Sequence, residues 1–382
     1  MSLPGIAIVG VAENGLHDVS GRSEVQLQAE ATVLALADAG LTVADVDGIF
    51  TASNDMSWIP SVLVAEYLGV QAKYSDATNI GGSSFEAHVG HAAAAIAAGL
   101  CDVALITYGS IQRSRRSRAL GASGPVRLTQ QFEAPYGLPL PIGAYALAAR
   151  RHMHLYGTTP EQLAQVAVST REWARLNPAA KMRDQLTIED VLNSPMIVDP
   201  LHLLDCCLVT DGAGAVVVTS SARARSLRKP PVEVLGHGTA HSHATISNMG
   251  HLTRPSSIDS GARAFEMAQV TPADIDVAQI YDSFTITPIL SLETLGFCGP
   301  GEGGPFVVER GTGPGGTFPM NTSGGGLSYC HPGMFGIFLL IEAVRQLRGE
   351  AGERQVADVE LALAHGTGGA LSSSATVILG KG

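Results

Sequence analysis

Between Ala35 and Phe50 the chain passes from an alanine-rich apolar stretch through Gly40 and a polar turn, Thr42-Val43-Ala44-Asp45, into Val46-Asp47-Gly48-Ile49-Phe50. That pattern predicts a helix end, a turn and a buried strand. About half a chain later it recurs, as Ala264-Phe265-Glu266-Met267-Ala268, then Thr271-Pro272-Ala273-Asp274-Ile275-Asp276, then Val277-Ala278-Gln279-Ile280-Tyr281. Both copies place Ala-Asp-hydrophobic-Asp ahead of the strand.

The echo continues downstream. Residues 81–90, Gly-Gly-Ser-Ser-Phe-Glu-Ala-His-Val-Gly, are mirrored by residues 324–333, Gly-Gly-Gly-Leu-Ser-Tyr-Cys-His-Pro-Gly, and without gaps His88 falls opposite His331. Each run leads into an apolar helix, 92–100 and 335–347, and then into a strand, 103–108 and 359–364. Strand, glycine turn, helix and strand in repeated order predict βαβ units with right-handed crossovers and a mostly parallel buried sheet in each half. The expected architecture is a duplicated α/β fold, residues 1–225 and 226–382. Residues 110–200 break the repeat with a proline-rich turn at 134–141 and two amphipathic helices, 142–156 and 159–176, and are expected to form an insertion that caps a site.

Composition sharpens this picture. Hydrophobic residues make up 45% and charged residues 15% of the chain, with 44 glycines, the profile of a packed α/β protein with many tight turns and a surface suited to oligomerisation. The formal charge of -11 and the single short cationic cluster, 113–118, argue against nucleic-acid binding. The longest apolar stretch, 87–101, is interrupted by His88 and His91 and falls short of the ~20 residues that a membrane helix needs. The start, Met1-Ser2-Leu3-Pro4-Gly5, has no basic region of a signal peptide, and the five cysteines form no Cys-x-x-Cys pair, so the cytoplasm is the expected location.

Four loops at strand ends or helix starts are placed to hold an anion or a developing oxyanion: 79–84, 281–284, 324–333 and 364–370. His88 and His91 have metal-compatible spacing, but no carboxylate or cysteine pair converges from nearby sequence, so both are read as helix packing and no metal is expected. The glycine run 311–316 follows no clear strand and precedes no helix, and reads as a loop rather than a dinucleotide site.

The run Asn321-Thr322-Ser323-Gly324-Gly325-Gly326-Leu327-Ser328-Tyr329-Cys330-His331-Pro332-Gly333 resembles the thiolase signature Asn-x-x-Gly-Gly…Gly-His-Pro-x-Gly. Tyr281-Asp282-Ser283-Phe284 stands where thiolases of the sterol-carrier-protein type carry His-Asp-Cys-Phe, and Asp211-Gly212-Ala213 is similar to that subfamily's Asp-Gly-Ala strand. The resemblance covers nearly the entire chain and implies a five-layer αβαβα fold in a homodimer acting on coenzyme A thioesters, with His331 as catalytic histidine. It also implies a small partner protein with an OB-fold and zinc ribbon, and no cofactor beyond the coenzyme A of the substrate.

The departure from the family lies at the nucleophile. Thiolases place an acylated cysteine at the start of the first-half helix; here the loop reads Ile80-Gly81-Gly82-Ser83-Ser84, and Cys101 comes only after the helix. A serine hydroxyl without an assisting base is a poor nucleophile at neutral pH, so thiolysis through an acyl-enzyme loses its first step. Glycine and serine in place of cysteine, with tyrosines in two other loops, resemble the lipid-transfer-protein-type aldolases, which shorten steroid side chains by retro-aldol cleavage of a 3-hydroxyacyl-CoA. That reading makes Tyr281, Tyr329, His331 and His365 the catalytic candidates, and lines the pocket with Gly82, Ser83, Ser84, Gly325, Gly326 and Gly368. Two alternatives stand beside it: a 3-ketoacyl-CoA thiolase using Cys330 or a serine, Cys330 being the thiol to test as reactive, and a non-catalytic acyl-CoA-binding scaffold. Cys206 and Cys207 are read as small buried hydrophobes.

Overall fold

The structure is a computed structural model that describes residues 5–53, 58–116 and 128–382, so Met1–Pro4 and the end of the 113–118 arginine cluster lie outside the described residues. Strands β1 (Ile6–His17), β2 (Gly48–Thr51), β3 (Tyr74–Asp76), β4 (Val103–Ser110), β5 (Asp211–Ser220), β6 (Val232–His241), β7 (Val277–Ile280), β8 (Leu361–Gly368) and β9 (Ser373–Lys381) pair in the order β3-β2-β4-β5-β1-β6-β9-β8-β7.

The repeat visible in the sequence performs the same bonding twice. Asp45 closes a one-turn cap on the Thr42 N–H at 2.9 Å, and Asp274 does so on Thr271 at 2.8 Å. Two residues on, Asp47 accepts the N–H groups of Asp102 and Val103, and Asp276 accepts those of Glu360 and Leu361. Each aspartate thereby ties the start of one strand (β2, β7) to the start of its parallel neighbour (β4, β8) and satisfies two N–H groups at the strand's beginning.

The expectation of mostly parallel sheets is corrected. Only β2–β3, β2–β4 and β7–β8 are parallel. The pairs β1–β5, β4–β5, β1–β6, β8–β9 and β9–β6 are antiparallel. The βαβ units account for β2, β4, β7 and β8; β9 returns after the short turn 369–372, a link that permits only an antiparallel partner.

The two parts of the ladder meet through just Ala7↔Glu233 and Ile8↔Val232. Around this seam they fold over two helices, α2 (Ser84–Ala97) and α7 (Gly336–Arg348), which touch each other and strands of both parts. Helix α1 (Glu24–Ala39) packs outside on β1, β4 and β5, and α5 (Ser257–Ala268) outside on β6 and β9. Three separate apolar clusters fill the spaces between these layers. This is the five-layer arrangement expected. Helix α1 is set by its ends: Ser23 caps the Gln26 N–H, and Gly40, at φ 76°, supplies the left-handed exit.

The inserted segment holds α3 (Ile142–Tyr156) and α4 (Pro160–Arg175), both as expected; α4 opens with a reciprocal Thr159–Gln162 cap and Pro160 at its first position. Both pack on the second part of the molecule beside α6 (Ile286–Thr294).

A further correction concerns the first glycine loop. Helix α2 begins at Ser84, inside the run, so His88 is helical while His331 precedes α7. The ungapped match of His88 with His331 therefore fails. The true counterparts are Gly81 (φ 73°) and Gly333 (φ 86°), each a left-handed residue three positions before its helix. His88 Nε2 bonds the Thr78 carbonyl at 3.0 Å and His91 Nδ1 bonds Asp76 at 2.7 Å, holding α2 against the β3 edge.

Candidate active site

The site is assembled at the end of β7. The Ile280 N–H is accepted by Asn321 Oδ1 at 2.7 Å and the Tyr281 N–H by the His365 carbonyl at 2.9 Å, so a loop side chain and strand β8 fix the backbone from which Tyr281 projects. The Tyr281 hydroxyl accepts the Phe335 N–H at 3.1 Å and lies 2.9 Å from His331 Nε2. The phenol proton has no other acceptor among the described residues, which favours donation to Nε2 with the His331 proton on Nδ1. Burial pushes His331 down to about 4 and Tyr281 well above its usual value, so the pair is uncharged at neutral pH. His331 is itself clamped: its N–H donates to Thr210 Oγ1 at 3.0 Å and its carbonyl accepts the Thr210 N–H.

Gly82 lies in the loop where the sequence lacks the family's cysteine. A Cβ built there would stand 2.6 Å from Tyr281 Cζ and 2.6 Å from the Thr367 carbonyl oxygen. The phenol ring occupies the volume that a side chain at 82 requires, so the loop excludes a nucleophile there rather than merely lacking one. The neighbouring serines are spoken for. Ser83 Oγ bonds Ser373 Oγ at 2.9 Å and the Ile80 carbonyl, while Ser84 Oγ donates to the Gly81 carbonyl at 2.6 Å and accepts the Ile80 N–H. Neither contacts a base. Gly368 closes the floor, its Cα 2.8 Å from where a Gly81 Cβ would be.

Asp282 shapes the third loop. Its carboxylate oxygens accept the N–H groups of Gly326 at 2.6 Å and Leu327 at 3.1 Å, pinning the π-helical turn Gly325–Tyr329. Gly325, at φ 56°, lies so close to this carboxylate that a side chain has no room, and a Cβ on Gly326 would stand 3.1 Å from His331 Cδ2. Burial raises the Asp282 carboxyl to about 7 against the opposing pull of those N–H groups.

Three sequence candidates are not brought to the Tyr281–His331 pair. Tyr329 lies edge-on to Phe338 with centroids 6.2 Å apart, and burial, with the charge of Glu13, holds its hydroxyl well above the usual value. Strand alternation turns His365 to the outer layer, where Nδ1 bonds Thr376 Oγ1 at 2.9 Å and Thr376 in turn bonds Ser260 of α5. Burial lowers His365 to about 3. Cys330 is completely buried in the central layer, its thiol held well above the usual value by burial and by Glu13 and Asp282.

Two other residues stand at the pair unforeseen. Tyr145, from inserted helix α3, packs on Phe284 at 4.5 Å, donates its hydroxyl to the Gly369 carbonyl at 3.1 Å and acts electrostatically on Tyr281. Cys207 is half-buried; its N–H donates to the Ser283 carbonyl, and its thiol, held protonated by burial, acts electrostatically on Tyr281. A tyrosine on the apolar face of a helix gives no sign of reaching a distant loop; the doubled Cys206-Cys207 just ahead of β5 was the one available signal for the thiol.

The layering, the paired glycine loops and the His331 turn define a thiolase-type scaffold, and the chain belongs to the thiolase superfamily. Residues 238–381 match the family described as thiolase C-terminal domain-like. The chain is 39% identical over 362 residues, 90% of its length and 91% of the relative's, to 17-hydroxy-3-oxo-4-pregnene-20-carboxyl-CoA lyase of Mycobacterium tuberculosis. It is 34% identical over 391 residues, 98% of its length and 99% of the relative's, to acetyl-CoA acetyltransferase of Methanothermobacter thermautotrophicus. Among solved structures it superposes on the Ltp2-ChsH2(DUF35) aldolase with a TM-score of 0.90 at 35% identity, covering 99% of this chain and 98% of that one.

Proposed function

We propose that this protein cleaves a 3-hydroxyacyl-CoA by a retro-aldol reaction without forming an acyl-enzyme. The observation that carries this reading is the Tyr281 ring standing in the space of a side chain at 82, with its hydroxyl bonded to neutral His331. A buried phenol is a weak base alone. Bonded to an imidazole, it takes the proton of the β-hydroxyl while passing its own to His331 Nε2. The β-carbon to oxygen bond becomes a carbonyl, the Cα–Cβ bond breaks, and its electron pair forms the thioester enolate. The N-termini of α2 and α7 meet at this point, and their dipoles favour the developing negative charge. The proton held on His331 then returns to Cα, releasing a shortened acyl-CoA and leaving the enzyme unchanged. No step is redox.

The steroid side chain is the first acyl class to test, given the lyase and aldolase relatives. A homodimer and a partner of the OB-fold, zinc-ribbon kind complete the proposed assembly, the latter supported by the DUF35 chain named in the similar structure. Among the described residues no helix is long and apolar enough to cross a membrane and the five cysteines are free thiols, which supports a cytoplasmic location.

The test is incubation of the purified protein, alone and with a DUF35-type partner, with a steroid 3-hydroxyacyl-CoA. Formation of a ketone and a shortened acyl-CoA in equal amounts is the expected result; a thioester consumed only when free CoA is added would favour thiolysis instead. That second reading rests on the half-buried Cys207 and on the acetyltransferase relative, and it requires intact-mass detection of an acylated Cys207.

A further inference from the structure

A carboxyl group that the reaction above leaves unused lies directly behind the Gly82 turn. Glu86, in the first turn of α2, is 1% exposed, and neither of its side-chain oxygens has a hydrogen-bond partner. Two glycines make room for it: a Cβ on Gly336, the first residue of α7, would stand 2.8 Å from Glu86 Oε1, and one on Gly366 of β8 would stand 2.7 Å from Glu86 Cδ. The partition between this acid and the Tyr281–His331 pair is a single layer of backbone. The Gly336 position abuts the Gly82 carbonyl, the Gly366 position lies 2.8 Å from Ser83 Cα, and Phe335, next to Gly336, donates its N–H to Tyr281.

An ionised carboxylate here would have no side-chain donor among the described residues, and burial pushes Glu86 up to about 8. The elements packed on α2 carry Tyr108 on β4, Asp211 on β5, Glu233, His237 and His241 on β6, His365 on β8, Lys381 on β9, and Glu342, Arg345 and Arg348 on α7. None of them offsets the burial of Glu86; only its own backbone N–H opposes it.

We propose that Glu86 is a positioning residue kept as a neutral acid, and that its ionisation stops the reaction by setting a negative charge behind the two helix N-termini that receive the enolate. The switch rests on the retro-aldol reading. Two anions separated by one layer of backbone in a buried setting repel strongly, so an enolate cannot form cheaply once Glu86 has lost its proton.

The experiment compares wild type with Glu86→Gln and with Glu86→Met, an apolar side chain of similar length, in the assembled protein. Above pH 8 the wild-type kcat falls about tenfold per pH unit at constant KM, while Glu86→Gln holds its rate and exceeds wild type about tenfold at pH 9. Melting temperatures from pH 5 to 9 provide a readout independent of turnover. Glu86 has a folded value raised from 4.5 to about 8, so its stabilising contribution is complete below 4.5 and is lost as pH rises towards 8. Both variants should therefore gain on wild type across that window. An alkaline limb unchanged in Glu86→Gln, or a melting gap independent of pH in both variants, overturns the proposal. If no 3-hydroxyacyl-CoA is cleaved while the gap still opens with pH, the retro-aldol reading has failed and the switch falls with it; cleavage with a flat gap refutes Glu86 alone.

Discussion

The two glycine loops that introduce the central helices are built alike and equipped differently. Gly81 and Gly333 each turn the chain in the left-handed region three residues before α2 and α7. The second loop keeps an imidazole, with His331 clamped to Thr210 and bonded to Tyr281. The first has surrendered its side chain at Gly82 to that same tyrosine. One scaffold thus carries an imidazole, the proposed acid/base group, on one side and a position closed to any side chain on the other. The chemistry changes without any change in the helices that frame it.

Substitutions that separate the two loops should differ in kind as well as size. Tyr281→Phe removes the hydroxyl bonded to His331 and Phe335 and should lower kcat about 10²–10⁴-fold with little change in KM, measured on a 3-hydroxyacyl-CoA. His331→Gln keeps a group able to accept the phenol proton's hydrogen bond but not the proton itself, and should cost about 10²-fold in kcat. Gly82→Ala probes the emptied loop. Its methyl has no space beside Tyr281 Cζ and the Thr367 carbonyl, so a loss of about 1–3 kcal/mol is expected in denaturant unfolding, with reduced turnover as the phenol is displaced.

Acid should act through buried imidazoles in both parts of the molecule, since His88 on α2 is lowered to about 4 by burial just as His331 is. His331, lowered to about 4, and His365, lowered to about 3, are neutral in the fold and take up protons near 6.5 once unfolded. Their contribution to stability is present above 6.5 and is lost as pH falls towards 4, so the melting temperature should drop through that range and drop less steeply in His365→Gln. The smallest effect belongs to Cys330→Ala: about 1 kcal/mol of stability for a small buried side chain and turnover within about twofold of wild type. Inactivation by this change would restore Cys330 as a working thiol.

Much of this was legible in the sequence, for reasons that can be named. The Asp45–Asp47 and Asp274–Asp276 repeats were visible because capping and strand-tying need a carboxylate at fixed offsets. Tyr281, His331 and Gly82 meet because all three sit at strand ends or helix starts. Tyr329 and His365 go elsewhere since nearness along the chain does not fix direction. The π-helical turn ends at Tyr329, so no alternation rule carries across to His331, and one step along β8 turns His365 from the central helices to α5. Asp282, Tyr145, Cys207 and Glu86 gain their significance from contacts 44 residues or more away, as in the Asp282 bond to Gly326, and no local pattern encodes such distances.

The contact of Gly82 with Tyr281 also bears on descent. A cysteine returning at position 82 would meet an aromatic ring, and a smaller residue arriving first at 281 would strip His331 of its partner while no thiol was yet in place. If the retro-aldol reading holds, either single change disables the pair before a thiol is in place, so packing at Gly82 alone keeps acyl transfer more than one substitution away.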